Sequence, residues 1–203
     1  PLGLRDRILK RSLDVVCAST LLFLLAPLML FIALAVKASS PGPILFKQQR
    51  IGRGNVLFTV FKFRTMHVEA SDAKGSRSAS REDDRVTPLG AILRRTSLDE
   101  LPQLLNVLAG SMSIVGPRPH AVGSTAEDNL FWDIDERYWL RGAVKPGITG
   151  LAQVRGHRGA TSTVRHLTDR VHSDLEYLAD WGLSKDIAII FRTARVLVHP
   201  NAF

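Results

Sequence analysis

Asp99 and Glu100 are adjacent carboxylates, with Arg94 and Arg95 a few residues upstream. An ionised aspartate can attack phosphorus and carry the transferred group as an aspartyl phosphate. Neighbouring carboxylates can also hold a hard divalent cation, typically Mg2+ shared with substrate phosphates. The same residues have a structural reading, because Ser97-Leu98-Asp99-Glu100 matches a helix capping box. Pro102 weakens that version: with Ser97 as the cap it falls beyond the tolerant first turn, whereas with Asp99 as the cap it lies within it. Spacing leaves capping and catalysis both open.

A second set of residues is basic. Lys62, Arg64, Arg94 and Arg118 stand at expected element ends or in loops. Arginine grips phosphate oxygens bidentately. Pro117 and Pro119 would hold Arg118 in one pose, since each fixes its own φ and restricts the residue before it. The plain alternative is solvated surface charge. No Walker loop, dinucleotide fingerprint or zinc spacing is present, and the six histidines are scattered and read as structural.

The elements that would position these groups follow from pattern. Ile44–Gln49 and Leu57–Phe63 read as short strands joined by Gly52, Gly54 and Asn55. His67–Arg85 reads as a polar surface loop, mobile enough to cover a site. Pro88–Arg95 predicts a short helix and Leu98–Leu108 a second, with Leu101, Leu104, Leu105 and Leu108 as its buried face. Gly116-Pro117-Arg118-Pro119 and Lys145–Gly150 read as loops, Phe131–Arg141 and Val164–Ala179 as helices. Asp186–Val198 places Ile187, Ile190, Phe191, Ala194 and Leu197 on one face with basic flanks, the pattern of a helix at a membrane interface or, equally, of a core helix.

Val15–Val36 is an almost unbroken apolar run, interrupted near its middle by Pro27. As a straight helix it would reach about 33 Å, enough to cross a bilayer. Basic residues crowd both ends, Arg5, Arg7, Lys10 and Arg11 before it and Lys37, Lys47, Arg50 and Arg53 after it, which favours both ends on the cytoplasmic side. A helix that enters, bends at Pro27 and returns satisfies that. A kinked single span, a secretory leader and a buried core helix are the competing readings. Lys10, Arg11 and Asp14 read as anchoring residues at the lip of the run, with Lys10 and Asp14 paired at i, i+4. The division expected is residues 1–40 as membrane element and 41–203 as catalytic domain. The chain begins with Pro1 and is expected to be the C-terminal part of a longer protein.

The 203 residues carry 27 Lys+Arg against 19 Asp+Glu, a net charge of +8. That implies an anionic partner, and the apolar run turns the choice from nucleic acid toward lipid or a phosphorylated substrate. Cys17 is the single cysteine, so no disulfide forms within one chain.

At these residues the sequence resembles the bacterial sugar transferases, monotopic phosphoglycosyl transferases acting on polyprenyl phosphate. The resemblance runs through Lys10-Arg11 with Asp14, the apolar run with Pro27, Gly42–Gly52, Phe61–Met66, Ser97–Leu104, Met112–Pro119 and Lys145–Gly150. It implies a helix-dominated α+β fold: a re-entrant membrane hairpin, amphipathic surface helices and a small antiparallel sheet. It implies that Asp99 attacks the β-phosphorus of a UDP-sugar, that undecaprenyl phosphate then takes the phosphosugar, and that Glu100 helps bind Mg2+ or handles a proton. Lys62 and Arg94 would neutralise phosphate, and Pro117, Arg118 and Pro119 would contact the nucleotide. The expected setting is the bacterial inner membrane, with the catalytic domain on the cytoplasmic face and exopolysaccharide synthesis as the use. Oligomeric state stays open, a homodimer included. Glucose is the sugar suggested by Pro119–Val122, Gly156–Thr161 and Asp174–Tyr177. However, His157, Ala160 and Leu151 stand where glucose-transferring members usually carry Trp, Glu and Trp, which keeps galactose or an N-acetylated sugar open. The reading from another class is a non-enzymatic basic module binding anionic lipid or nucleic acid.

Overall fold

The apolar run folds as α1 (Leu4–Ser39), a single 36-residue helix with Pro27 inside it. The computed structural model describes residues 3–68, 83–157, 161 and 163–197. Most of the loop read at His67–Arg85 lies outside them, as do Arg158, Gly159, Ala160 and the side chains of Arg195 and Leu197. Along α1 the buried residues Lys10, Asp14, Ala18, Ile32 and Val36 form one stripe against the rest of the chain. The other faces stay apolar and uncovered, with Phe23 81% and Phe31 69% exposed. Only 11% of its most apolar 18-residue window is buried, so the core-helix reading does not hold.

Both arms of α1 are clamped to the same domain. Lys10 Nζ sits 2.7 Å from Asp186 Oδ2 and also donates to the Val115 carbonyl and the Tyr177 hydroxyl. Asp14 Oδ1 accepts from Ser113 Oγ and from the Ile114 N–H, each at 2.8 Å. Arg11 donates to the carbonyls of Val107 and Leu108, where a helix ends. At the other end Arg64 donates to the carbonyls of Val36, Ser40 and Pro43. Two sequence expectations change here. Lys10 makes its ion pair with Asp186 rather than with Asp14, and Arg64, expected to bind phosphate, closes the C-terminus of α1. Four last-turn carbonyls of a helix need partners, and a buried guanidinium supplies several donors at once.

β1 (Leu45–Ile51) and β2 (Leu57–Phe63) pair antiparallel, Leu45 opposite Phe63 and Ile51 opposite Leu57. Their link turns at Gly54 and Asn55, both at positive φ. α2 (Pro88–Thr96) starts at Thr87, whose hydroxyl accepts from the Gly90 N–H, and ends at Ser97 in the left-handed conformation. A Cβ on Gly90 would lie 2.0 Å from the Thr65 carbonyl oxygen. Glycine there lets α2 press onto the end of β2 and set Arg94 against Thr65.

The single helix expected over Leu98–Leu108 is instead a 3₁₀ turn, Leu98–Glu100, followed by α3 (Gln103–Ala109). Pro102 takes the position just before α3, where its missing N–H costs nothing. Leu104 is buried as expected, but Leu105 faces outward and Val107 lies in the core. Asn106 pins α3 to β2, its Nδ2 donating to the Thr59 carbonyl and its Oδ1 accepting from the Phe61 N–H.

β3 (Ser113–Val115) pairs with β6 (Gly147–Thr149), and this pair is parallel. Lys145–Gly150, read as a loop, therefore contains a strand. A Cβ on Gly147 would sit 2.1 Å from the Gly116 nitrogen, and one on Gly150 2.3 Å from its carbonyl oxygen. The two glycines let this segment lie directly on the backbone of Gly116. Between the pair run β4 (Thr125–Ala126), β5 (Asn129–Leu130), the short α4 (Phe131–Ile134) and a 3₁₀ segment, Glu136–Ala143, in place of one helix over Phe131–Arg141. α5 (Leu151–Val154), α6 (Val164–Ala179) and α7 (Leu183–Leu197) complete the chain. The α6 bounds are those expected from periodicity. α7 has two faces: Asp186 and Ile189 are buried, whereas Ile187 and Phe191 are exposed. The fold is the expected α+β, dominated by helix.

Candidate active site

The 3₁₀ turn carries Asp99 and Glu100 to the end of β2. Ser97 makes no capping hydrogen bond from its side chain, so the capping-box reading fails and neither carboxylate serves a helix end. Their surroundings differ. Glu100 Oε1 accepts from Lys62 Nζ at 2.7 Å, and Arg118 donates to both Glu100 oxygens. Asp99 is 7% exposed. Its nearest cation is Lys62, 3.9 Å from Oδ2, and no hydrogen bond reaches its carboxylate among the described residues.

The two groups therefore titrate apart. Burial pushes the Asp99 carboxyl up to about 6, with Lys62 and Arg94 opposing and the Glu100 charge adding. Burial would also raise Glu100, but the hydrogen-bonded Arg118 and Lys62 outweigh it and hold Glu100 well below the usual range. Paired carboxylates driven apart in this way take different roles. Glu100 is a fixed anion that positions Lys62 and Arg118. Asp99 is a desolvated, unbonded carboxylate, ionised in most molecules at neutral pH and close to three cationic side chains. Arg94 joins from α2, its Nε donating to Thr65 Oγ1 at 2.9 Å.

The sequence over residues 5–200 matches the family model described as bacterial sugar transferase. The chain belongs to that family. It is 51% identical to the UDP-glucose:undecaprenyl-phosphate glucose-1-phosphate transferase of Escherichia coli K12, over 95% of this chain and 41% of that protein. It is 50% identical to the Caulobacter vibrioides protein of the same name, over 96% of this chain and 72% of that one. Identity to the UDP-N-acetylgalactosamine-undecaprenyl-phosphate N-acetylgalactosaminephosphotransferase of Aeromonas hydrophila is 38%, over 94% and 44%. The chain thus spans under half of two of these relatives.

In this family member the segment Pro117-Arg118-Pro119 is held by more than its prolines. The Pro117 carbonyl accepts from the Gly147 N–H, the Arg118 carbonyl from Arg141 Nη2, and the Pro119 carbonyl from Arg50 Nη1. Three consecutive carbonyls are tied to three different parts of the chain, so the Arg118 side chain leaves a rigid base. Arg141 is itself locked by Asp174, Nε to Oδ2 at 2.8 Å.

Behind Arg118 lies a cluster that sequence reasoning missed. His120 is buried, with Nδ1 3.0 Å from the Tyr138 hydroxyl and Nε2 3.1 Å from Arg170 Nη1. Burial and the guanidinium groups of Arg141, Arg170, Arg50 and Arg118 drive its pKa far down, so the ring is neutral, with Arg141 Nη1 facing Nδ1 and Arg170 Nη1 facing Nε2. Burial lowers Arg50 and Arg170 to about 10, and both stay charged at neutral pH. The local signal for Arg141 and Asp174 was weak: one sat in a stretch read only as helical, the other in a motif used only to suggest the sugar.

The residues expected to act together thus divide. Asp99, Glu100, Lys62, Arg94 and Arg118 converge, with Pro117 and Pro119 as the mount of Arg118. Arg64, Lys10, Arg11 and Asp14 dock α1. No cluster of three or more His, Cys, Asp or Glu suited to a metal occurs among the described residues. A cation bound by one or two carboxylates plus substrate phosphates needs no such cluster. Asp99 offers open oxygens for that mode, whereas both Glu100 oxygens are engaged by Arg118 and Lys62.

Proposed function

We propose that this transferase moves a sugar-1-phosphate from a UDP-sugar to undecaprenyl phosphate through a covalent intermediate on Asp99. The observation that carries the reading is the buried Asp99 carboxylate, unbonded and flanked by Lys62, Arg94 and the Glu100–Arg118 pair. Asp99 Oδ attacks the β-phosphorus, and the bond to the oxygen bridging the two phosphates breaks. That oxygen leaves with the electron pair on UMP. In the second step an oxygen of the acceptor phosphate attacks the same phosphorus, and the bond to Asp99 breaks to restore its carboxylate. Charge on the equatorial phosphoryl oxygens meets Lys62 and Arg94, and Arg118 stands where the nucleotide half enters. Mg2+, held by Asp99 and the diphosphate with Glu100 behind them, would add neutralisation of the departing phosphate.

Glucose is the sugar the relatives at about half identity support. Galactose and N-acetylated sugars remain alternatives within the same chemistry. For the membrane segment we propose the re-entrant reading. Lys10 and Arg64 clamp the two ends of α1 to one domain, which supports both ends lying on one face of the bilayer, the cytoplasmic one by the charge rule.

The test is a single turnover with the detergent-solubilised protein, UDP-glucose and Mg2+, without lipid. One hexose-phosphate on the peptide holding Asp99, with stoichiometric UMP, is expected. No adduct with any UDP-sugar, while lipid product still forms when acceptor is added, would overturn the covalent step. The pH dependence follows from Asp99. Its raised pKa means that the reactive carboxylate is lost as pH falls through about 6. The adduct-forming rate measured at pH 5 is expected about tenfold below that at pH 8. A rate flat across that range would show that Asp99 stays ionised once Mg2+ and the UDP-sugar are bound.

A further inference from the structure

A cavity of about 340 Å³ lies between α1 and α7 and ends at Glu100. Leu21 and Leu25 of α1 form one wall, Ile190 and Ala194 of α7 another, and Leu104 and Ile148 the floor. Its few polar groups are turned on each other. Thr149 and Thr193 hydroxyls lie 2.6 Å apart, and Gln153 Nε2 donates to the Ile148 carbonyl. Gln153 Oε1 is buried without a partner among the described residues, and it is an acceptor, so it offers an anion nothing. The cationic end is the other one, where Glu100 is held by Lys62 and Arg118.

We propose that this cavity takes the first isoprene units of the polyprenyl acceptor and so aims its phosphate at Asp99. The inference rests on the reading that polyprenyl phosphate is the acceptor. Three observations select this occupant. The lining is mostly apolar, its Thr149, Thr193 and Gln153 groups present no cation, and the cationic end is the reaction centre, so a molecule with an apolar tail and an anionic head can enter in only one sense. Leu21 and Leu25 belong to the helix whose remaining faces are exposed and apolar, Phe23 and Leu24 among them, so the cavity wall is continuous with a lipid-facing surface. A chain can slide in from the side without leaving an apolar environment. The volume is at the lower end for a small-molecule site, so the phosphate-proximal units are held and the rest of the chain stays in lipid. The physical gain is orientation: a lipid phosphate free to rotate at the surface becomes one fixed beside the phosphorus it must attack.

The test uses Ala194→Trp, which narrows the cavity at an exposed position of α7 and so spares the core. The readout is lipid product formed per Asp99 adduct, with acceptors of one and of eleven isoprene units. The unsubstituted enzyme is expected to use the longer acceptor with a KM at least about tenfold lower, and Ala194→Trp to lose most of that preference. A polyprenyl phosphate analogue with a photoreactive first isoprene is expected to label peptides holding Leu25 and Ala194. Equal KM for both acceptors together with labelling elsewhere would overturn the proposal. An enzyme that forms no adduct at all would count against Asp99 as nucleophile, and the labelled peptides would still decide the cavity.

Discussion

Asp99→Asn gives a protein that forms no phosphosugar adduct, turns over at least about 10⁴-fold more slowly, and melts at a higher temperature than the parent at pH 8. The first two effects follow from losing the attacking oxygen. The third follows from the cost of keeping that oxygen ionised in a buried place. The Asp99 pKa moves from 3.8 to about 6 on folding. A carboxyl whose folded pKa lies above its unfolded value reduces stability wherever the ionised form dominates. Two units correspond to about 3 kcal/mol, present in full above pH 6 and gone below about pH 4. The variant's advantage should therefore be several degrees at pH 8 and should close as the pH falls through that window. Thermal melts across pH 4–8, beside intact-mass measurement of the adduct, check both parts. A variant less stable than its parent at pH 8 would mean that Asp99 is a structural partner of Lys62 and Arg94.

Asp186→Ala destabilises the fold by about 3–5 kcal/mol, through the lysine it leaves behind. Asp186 is 0% exposed. It accepts from Lys10 Nζ at 2.7 Å, from the Tyr177 hydroxyl at 2.7 Å and from Trp181 Nε1 at 3.2 Å. Removing it leaves the Lys10 ammonium, 8% exposed, without its countercharge, held only by the neutral Val115 carbonyl and Tyr177 hydroxyl. Lys10→Met combined with Asp186→Leu removes both charges and is expected to recover most of the loss, because desolvating an ion pair offsets much of its attraction. Denaturant unfolding of Lys10→Met, Asp186→Leu and the double variant forms the cycle that measures this. Additive losses would show that the two groups do not act as a pair. The consequence reaches function, since this pair ties α1 to α7, the two walls of the apolar cavity, and a loosened α1 would weaken use of the lipid acceptor more than adduct formation.

Much of this was legible in the chain itself, for local reasons. An almost unbroken apolar run from Val15 to Val36 specifies a long helix with lipid-facing sides. The aromatic and β-branched residues of Leu57–Phe63 and the turn residues before them specify a hairpin, and period 3.6 specifies Val164–Ala179. Asp99-Glu100 and the two prolines around Arg118 are short motifs whose chemistry is visible at the level of residue type. What the tertiary structure decided is which charge meets which. Lys10 and Asp14 have helical spacing for each other, yet Lys10 pairs with Asp186, 176 residues away, and Asp14 with Ser113 and Ile114. Arg64 looked like Lys62, two residues before it, and alternate residues of a strand face the same side. The register here is shared, and it is the packing of α1 and α2 around Phe63 that sends the long Arg64 side chain to a helix end and leaves Lys62 at Glu100. Ser97 and Glu100 have the spacing of a cap, and the left-handed turn at Ser97 set them to other uses. Periodicity records only neighbours three, four or two residues apart. Hydrogen bonds across 23 to 176 residues, those that mount Arg118 among them, leave no period behind, and only the folded chain brings their partners together.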